Sequence, residues 1–332
     1  VIKYPTGSKL WLNEQCLGWH TVDEPPVIPN TKPNKPADFG TYMHAVAENE
    51  TRRRYLPMTL GHIERAMTAE MEAAFNPHYD DEIGAPMDAE SWGGSVVALQ
   101  NELFSQFPAS DSLDVCLEEV GSYTVSGFKS RLKIKNREYD SARGIYGTGD
   151  LIYPTAQGDL VVVDWKTGKK AISPVSNIQL EFEALAWLLD WPFFPTERSG
   201  VVWLVIGDLR NQELRICKAS EAEIVARRFD FINGIGVVSE RNSNLTPGIH
   251  CNLCPRAANC PALLKKVTVD AAKDPKTLTG DEIAEIAVLT RKVSKEYREL
   301  LIHRAETEPD FRSKYLTKGP KGWRLSAYDV KE

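Results

Sequence analysis

One hexapeptide limits what this chain can fold into: Val161-Val162-Val163-Asp164-Trp165-Lys166. Three consecutive β-branched apolar residues favour a buried strand. Side chains alternate along a strand, so Asp164 and Lys166 share a face and Trp165 points the other way. A carboxylate and an ammonium at the end of a buried strand are costly unless they pair or hold a metal. A second acid, Asp150, stands in Gly149-Asp150-Leu151 on the preceding strand, and Thr155-Ala156-Gln157-Gly158-Asp159 forms the turn between them. That hairpin brings two carboxylates and a lysine together. Two acids suit a hard divalent cation such as Mg²⁺ or Mn²⁺, and a nearby lysine can orient or activate a water.

The rest of the chain reads as an α/β protein. Residues 6–20 form a short helix with Cys16 near its end, and the proline-rich stretch 21–38 is an extended loop. A helix begins near Asp38 and carries His44. Residues 58–76 and 89–107 are two more helices, a helical insert that shapes a substrate channel. Strands follow at 114–126, 129–137, 145–153 and 159–166, then a helix at 177–190, strands at 200–207 and 212–218, and a helix at 219–237. After Cys260 a short helix ends near Lys266. Thr279 and Glu282 have capping-box spacing, so a long charged helix opens there and runs to about Glu306. Lys318–Arg324 forms a basic hairpin. The expected division is a catalytic domain over 1–265 and a helical extension over 266–332.

Composition excludes some classes. The 332 residues are 42% hydrophobic and 26% charged, with a net charge of −6. A net negative chain does not coat nucleic acid indiscriminately, although a local basic path suffices for nucleic-acid binding. Arg52-Arg53-Arg54, Lys129–Arg137 and Lys318–Arg324 are candidate paths, and a solvated face is the competing reading for each. No run of about 18 apolar residues offers a spanning helix. Val1-Ile2-Lys3-Tyr4-Pro5 does not read as a signal peptide.

Six cysteines are few for a disulfide scaffold of this length. Three of them, Cys251, Cys254 and Cys260, stand at metal-type spacing, which points to a reducing, cytoplasmic setting. Three ligands need a fourth. Zn²⁺ in a Cys₄ site, or in a Cys₃His site with His250 or His20, is one solution, and ligand identity alone does not separate zinc from iron. Cys116 and Cys217 fall in expected strands and read as core residues.

Asp-x13-Asp-x-Lys resembles the signature of the PD-(D/E)XK nucleases. The likeness is closer to the RecB-like exonuclease branch, which includes the CRISPR-associated exonucleases, the AddB nuclease domain and related phage proteins. Gly40-Thr41-Tyr42-Met43-His44 is similar to that branch's first motif, whose histidine is a metal ligand. Gln179-Leu180-Glu181-Phe182-Glu183-Ala184 resembles its Gln-x-x-x-Tyr helix, with Glu183 where the tyrosine usually stands. Cys251-x2-Cys254-x5-Cys260 resembles the C-terminal part of its iron–sulfur motif. These motifs run in the family's order over residues 16–260.

The resemblance implies a restriction-endonuclease-like core: a central mixed sheet flanked by helices, with a helical insert and a C-terminal helical extension. It implies a metal-dependent DNA exonuclease of recombination, repair or phage DNA metabolism, in a bacterial or phage-infected cytosol. Asp150, Asp164 and His44 would bind Mg²⁺ or Mn²⁺, with the Trp165 carbonyl as a further ligand. Lys166 would orient or activate water, and Gln179 would lie beside the metal. Of Glu118 and Glu119, adjacent on the first strand and facing opposite ways, at most one reaches the metal, and Glu119 is the choice. The family's fourth cysteine lies far upstream, so Cys16 would complete a structural 4Fe–4S cluster. DNA with free ends is the implied substrate, and a helicase, recombinase or single-strand-binding protein the implied kind of partner. The alternative is a weakly active or inactive DNA-binding or assembly subunit that keeps the fold, which the Glu183 departure favours.

Overall fold

The computed structural model describes residues 35–55, 89–110, 116–124, 127–132, 144–190, 197–228, 245–308, 316–319 and 322–325, together with Leu12, Gln15, Cys16, Val22 and Phe311. Two compact units emerge. One comprises 1–11 and 31–236; the other draws on 12–30 and 237–332.

The first unit is built on a six-stranded sheet. Its strands are β1 (Cys116–Thr124), β2 (Gly127–Leu132), β3 (Gly144–Pro154), β4 (Leu160–Lys166), β5 (Val201–Asp208) and β6 (Glu213–Ser220), in spatial order β2-β1-β3-β4-β5-β6. Every neighbouring pair is antiparallel except β4 and β5. Parallel neighbours need a crossover connection, and here helix α3 (Ile178–Asp190) supplies it. Helices α1 (Lys35–Tyr55) and α2 (Ala89–Gln106) precede the sheet in the chain.

The strand pattern explains the layers. Ile152, Val162, Leu204 and Ile206 pack with Leu180, Phe182, Leu185 and Trp187 of α3. Leu151, Val161, Val163, Trp165 and Val205 pack with Phe39 and Met43 of α1 and Leu99 and Leu103 of α2. Strands β4 and β5 are therefore apolar on both faces, as central strands covered by helices must be. Each of these fully buried side chains contributes roughly 1.5–3 kcal/mol by leaving water. Alternation is interrupted once in β3: Ile145 and Ile152 face the α3 core, whereas Leu151 and Tyr153 face the other. Gly147 and Gly149 still face α3 with Ile145, so the break falls at Asp150, between Gly149 and Leu151.

In the second unit, 3₁₀ turns at Ile249–Leu253 and Ala257–Asn259 carry the cysteine cluster into helix α5 (Pro261–Ala271). Helix α6 (Gly280–Thr307) follows, capped by Thr279 and Glu282 as their spacing predicts. Strands β7 (Leu316–Gly319) and β8 (Gly322–Leu325) form the expected C-terminal hairpin.

Several boundaries differ from the sequence expectation. Helix α1 begins at Lys35 rather than near Asp38, because Pro36 falls in its first turn, where a missing N–H costs nothing. Strand β2 begins at Gly127, two residues early. Strand β6 runs to Ser220, which then caps a helix α4 (Glu221–Ala226) through a capping box with Glu223, so the helix starts later than 219. Helix α5 continues past Lys266 to Ala271, supported by a 2.8 Å Lys266–Asp270 ion pair one turn apart. Cys217 is only partly buried, because β6 is an edge strand. The helix expected at 58–76, most of 6–20, and residues 133–137 and 229–237 lie outside the described residues.

Candidate active site and cysteine pocket

The hairpin between β3 and β4 positions the acids. Its pairing sets Leu151 opposite Val163, which brings Asp150, midway along β3, beside Asp164 near the end of β4. Asp150 Oδ2 accepts a 2.8 Å hydrogen bond from the backbone N–H of Trp165. It also lies 3.2 Å from Nδ1 of His44, which α1 contributes. Gly40, one turn before His44, lies against the β4–α3 loop: a Cβ there would make an ordinary 3.4 Å contact with Thr167 Oγ1. Asp164, 3% exposed, forms an ion pair with Lys166 two residues on. The expected sharing of one strand face by this pair is borne out, and Trp165 is buried in the opposite core.

Helix α3 closes the site from its own side. Asn177 caps it, its Oδ1 accepting from the N–H of Gln179 at 3.1 Å and of Leu180 at 3.3 Å. Gln179 Nε2 then donates to Glu183 Oε1 at 3.1 Å. Glu183 is completely buried, and its Oε2 has no hydrogen-bond partner among the described residues. Sequence reasoning marked Glu183 as a departure from the family's tyrosine, with two outcomes open: an acid that weakens phosphate contact, or one that joins the site. The spacing of four from Gln179 was the signal that both stand on one helical face. Glu119 lies opposite Gly149 in the sheet register, and its side chain is outside the described residues.

The electrostatics follow from burial. Desolvation pulls the His44 imidazole down, but the charge and hydrogen bond of Asp150 outweigh it, and His44 ends above its usual 6.5. Desolvation raises the Asp150 carboxyl, but His44 and the Trp165 N–H outweigh it, and Asp150 ends below its usual value. Burial pushes Asp164 up to about 6, with Lys166 opposing and Asp150 reinforcing the rise. Burial lowers the Lys166 ammonium, yet Asp164 more than restores it, so it stays protonated at neutral pH. Glu183 is held well above the carboxylate range by burial, then by Asp164 and Asp150.

The second unit holds the other candidate site. Cys16, Cys251, Cys254 and Cys260, all buried and free, line one pocket with Leu12, Val22 and His250. Cys260 and Cys251 accept backbone N–H bonds from Leu263 and Gly248, each at 3.5 Å. Burial pushes the Cys251 thiol up to about 11 and raises Cys254 as well. Buried Arg256, which sequence reasoning missed, donates to the Val22 carbonyl at 2.8 Å and ties the two chain segments of this pocket together. His20 lies outside the described residues.

Among the described residues, no group of three or more His, Cys, Asp or Glu side chains is arranged to hold a metal as it stands. The acids are instead engaged in ion pairs with His44 and Lys166. Both donor sets nevertheless fit their cations chemically. Carboxylates with an imidazole suit Mg²⁺ or Mn²⁺, and four thiols suit zinc or an iron–sulfur cluster.

A mixed α/β sheet carrying two aspartates and a lysine on adjoining strands defines a class of metal-dependent phosphodiesterases. The model of the PD-(D/E)XK nuclease superfamily matches residues 15–261, and this chain belongs to that superfamily. Membership implies a metal-dependent nuclease acting on DNA. A search of curated proteins found no significant match. No helix among the described residues is long and apolar enough to cross a membrane.

Proposed function

We propose that this protein is a DNA exonuclease of the RecB-like branch, acting on free ends in recombination, repair or phage DNA metabolism. The observation that carries the reading is the meeting of His44, Asp150, Asp164 and Lys166, drawn from a helix and two strands, at one buried position. Asp150, Asp164 and His44 hold Mg²⁺ or Mn²⁺, with the Trp165 carbonyl as a further ligand. The cation, when bound, polarises the scissile phosphate and acidifies a water. Lys166 carries its proton at neutral pH, which supports a role in orienting water and stabilising phosphate charge rather than as a general base. Gln179 acts beside the acids through Glu183. Glu119 is the candidate fifth polar group, on the strand next to β3.

Cys16, Cys251, Cys254 and Cys260 hold a structural 4Fe–4S cluster, with Zn²⁺ as the alternative. Their convergence on one pocket from distant parts of the sequence supports this. The cytoplasm is the compartment consistent with four reduced thiols. A helicase, recombinase or single-strand-binding protein is the kind of partner such an activity serves.

The test is degradation of end-labelled linear single- and double-stranded DNA with Mn²⁺ or Mg²⁺, wild type against Asp164→Ala, on anaerobically purified protein. Metal-dependent shortening that vanishes in the variant supports the nuclease and reveals its polarity. No cleavage by either protein favours the second reading, a DNA-binding or assembly subunit. Glu183, buried where the family usually places tyrosine, is the observation on that side.

A further inference from the structure

The Asp150–Asp164 centre contains one more carboxyl group than the two-aspartate signature supplies. Glu183 adds a third carboxyl, none of its surface exposed. Its two oxygens are not equivalent. Oε1 accepts the 3.1 Å hydrogen bond from Gln179, while Oε2 has no hydrogen-bond partner among the described residues. Oε2 also lies against the strand that carries the first aspartate. A Cβ built on Gly149, the residue before Asp150, would stand 3.6 Å from it. The same Cβ would collide with the side chain of Ile152 on the same strand.

A buried carboxyl oxygen without a partner is expensive, and a bound ion is one of the few roles that accounts for such a group in a native protein. Three carboxyls, Asp150, Asp164 and Glu183, face one ammonium, Lys166, and one imidazole, His44. With all three ionised, the cluster is short of positive charge, and a hard divalent cation restores the balance. We propose that Glu183, aimed by Gln179, is a third acidic ligand of the divalent-metal site. The assignment rests on the metal-nuclease reading and deepens it. An acid in place of an aromatic hydroxyl exchanges a phosphate contact for cation affinity. Gln179 is then a positioning residue. It holds Oε1 so that Oε2 is left for the cation.

The test is Mn²⁺ binding to the full chain, read by loss of the free-ion EPR signal, with Tm measured with and without Mn²⁺. Wild type, Glu183→Gln, Gln179→Ala and Asp164→Asn are compared. Glu183→Gln keeps the shape and removes the charge, so the metal-free variant should melt no lower than wild type. Its Mn²⁺ affinity should fall tenfold or more, and its metal-induced rise in Tm should shrink. Gln179→Ala should weaken Mn²⁺ binding less. A carboxyl that merely fills the core predicts wild-type Mn²⁺ binding in Glu183→Gln. That result, with binding lost in Asp164→Asn, overturns this assignment alone. Absence of Mn²⁺ binding in the wild type overturns it together with the metal-nuclease reading.

Discussion

Asp150 Oδ2 is hydrogen-bonded to the backbone N–H of Trp165, the residue immediately after Asp164. The first acid is thereby tied to the main chain of the strand that bears the second. Neither carboxylate depends on a flexible loop for its position, since both stand on strands of the central sheet. Sites built on strands hold their geometry more closely than sites on loops.

Lys166 is the sharpest test of chemistry against binding. Lys166→Ala should lower cleavage by roughly two to three orders of magnitude, the usual cost of losing one electrostatic stabiliser. DNA affinity measured by gel shift in Ca²⁺ should be little changed. Lys166→Arg should fail to restore the rate, because the planar guanidinium does not reproduce a compact ammonium. Cleavage that survives in Lys166→Ala would remove the lysine from the mechanism.

The His44–Asp150 pair predicts a stability window in chelated protein. Asp150 sits below its ordinary 3.8, so its contribution is present above that pH and is lost as pH falls through the depressed value. His44 sits above its ordinary 6.5, so its contribution is full below that pH and is lost as pH rises through the raised value. The Tm difference between wild type and His44→Gln should therefore be largest between pH 3.8 and 6.5. Asp164 acts with the opposite sign. Its carboxyl is raised, so stability declines as pH climbs from 3.8 to about 6, and Asp164→Asn should flatten that decline. A pH-independent difference would show that the pair does not titrate as a unit.

Gly207 and Trp165 are register partners on β5 and β4. A Cβ at position 207 would overlap the six-membered ring of Trp165, which is 2% exposed and cannot turn aside into solvent. Gly207→Ala should cost about 3 kcal/mol, the upper end for overpacking a core. Pairing it with Trp165→Leu should cost less than the two changes added, as chemical denaturation of all four proteins would reveal.

The four pocket cysteines should behave alike and unlike Cys217. Cys254→Ser should lose bound iron or zinc and lower the Tm, whereas Cys217→Ser, on the edge strand, should leave metal content unchanged. Metal analysis and the visible spectrum of anaerobic protein distinguish zinc from iron. Full metal content in Cys254→Ser would detach that thiol from the ligand set.

Lys169 and Lys170 are exposed just beyond the end of β4, close in sequence to Lys166. They form an exposed basic pair that sequence reasoning passed over. Lys169→Ala with Lys170→Ala should weaken DNA binding uniformly across sequences and reduce the salt slope by about 0.7–0.9 for each phosphate no longer neutralised. An unchanged salt slope would place the DNA path elsewhere.

The catalytic hairpin was legible because its signals are local. Val161–Val163 states a buried strand, alternation places Asp164 with Lys166, and a short turn brings Asp150 alongside. The long helix α6 was legible from Thr279 and Glu282 for the same reason. Glu183 was not. Period-four spacing places it with Gln179, but its complete burial depends on Phe182 and the sheet beneath, which pattern alone does not reveal. Strand ends were misjudged where a polar residue serves two elements, as Ser220 ends β6 and caps α4. The change of face in β3 at Asp150 was equally hidden, because no local pattern around Gly147 and Gly149 announces it.

The cysteine pocket draws its parts from opposite sides of the catalytic unit in the sequence. A ribosome releases Cys16 early and Cys251, Cys254 and Cys260 only after the whole sheet has emerged. During that interval Cys16 stands without the three cysteines that share its pocket. Closure of the pocket therefore reports that the intervening nuclease body has been synthesised, and a chain interrupted before residue 251 has no means of completing it.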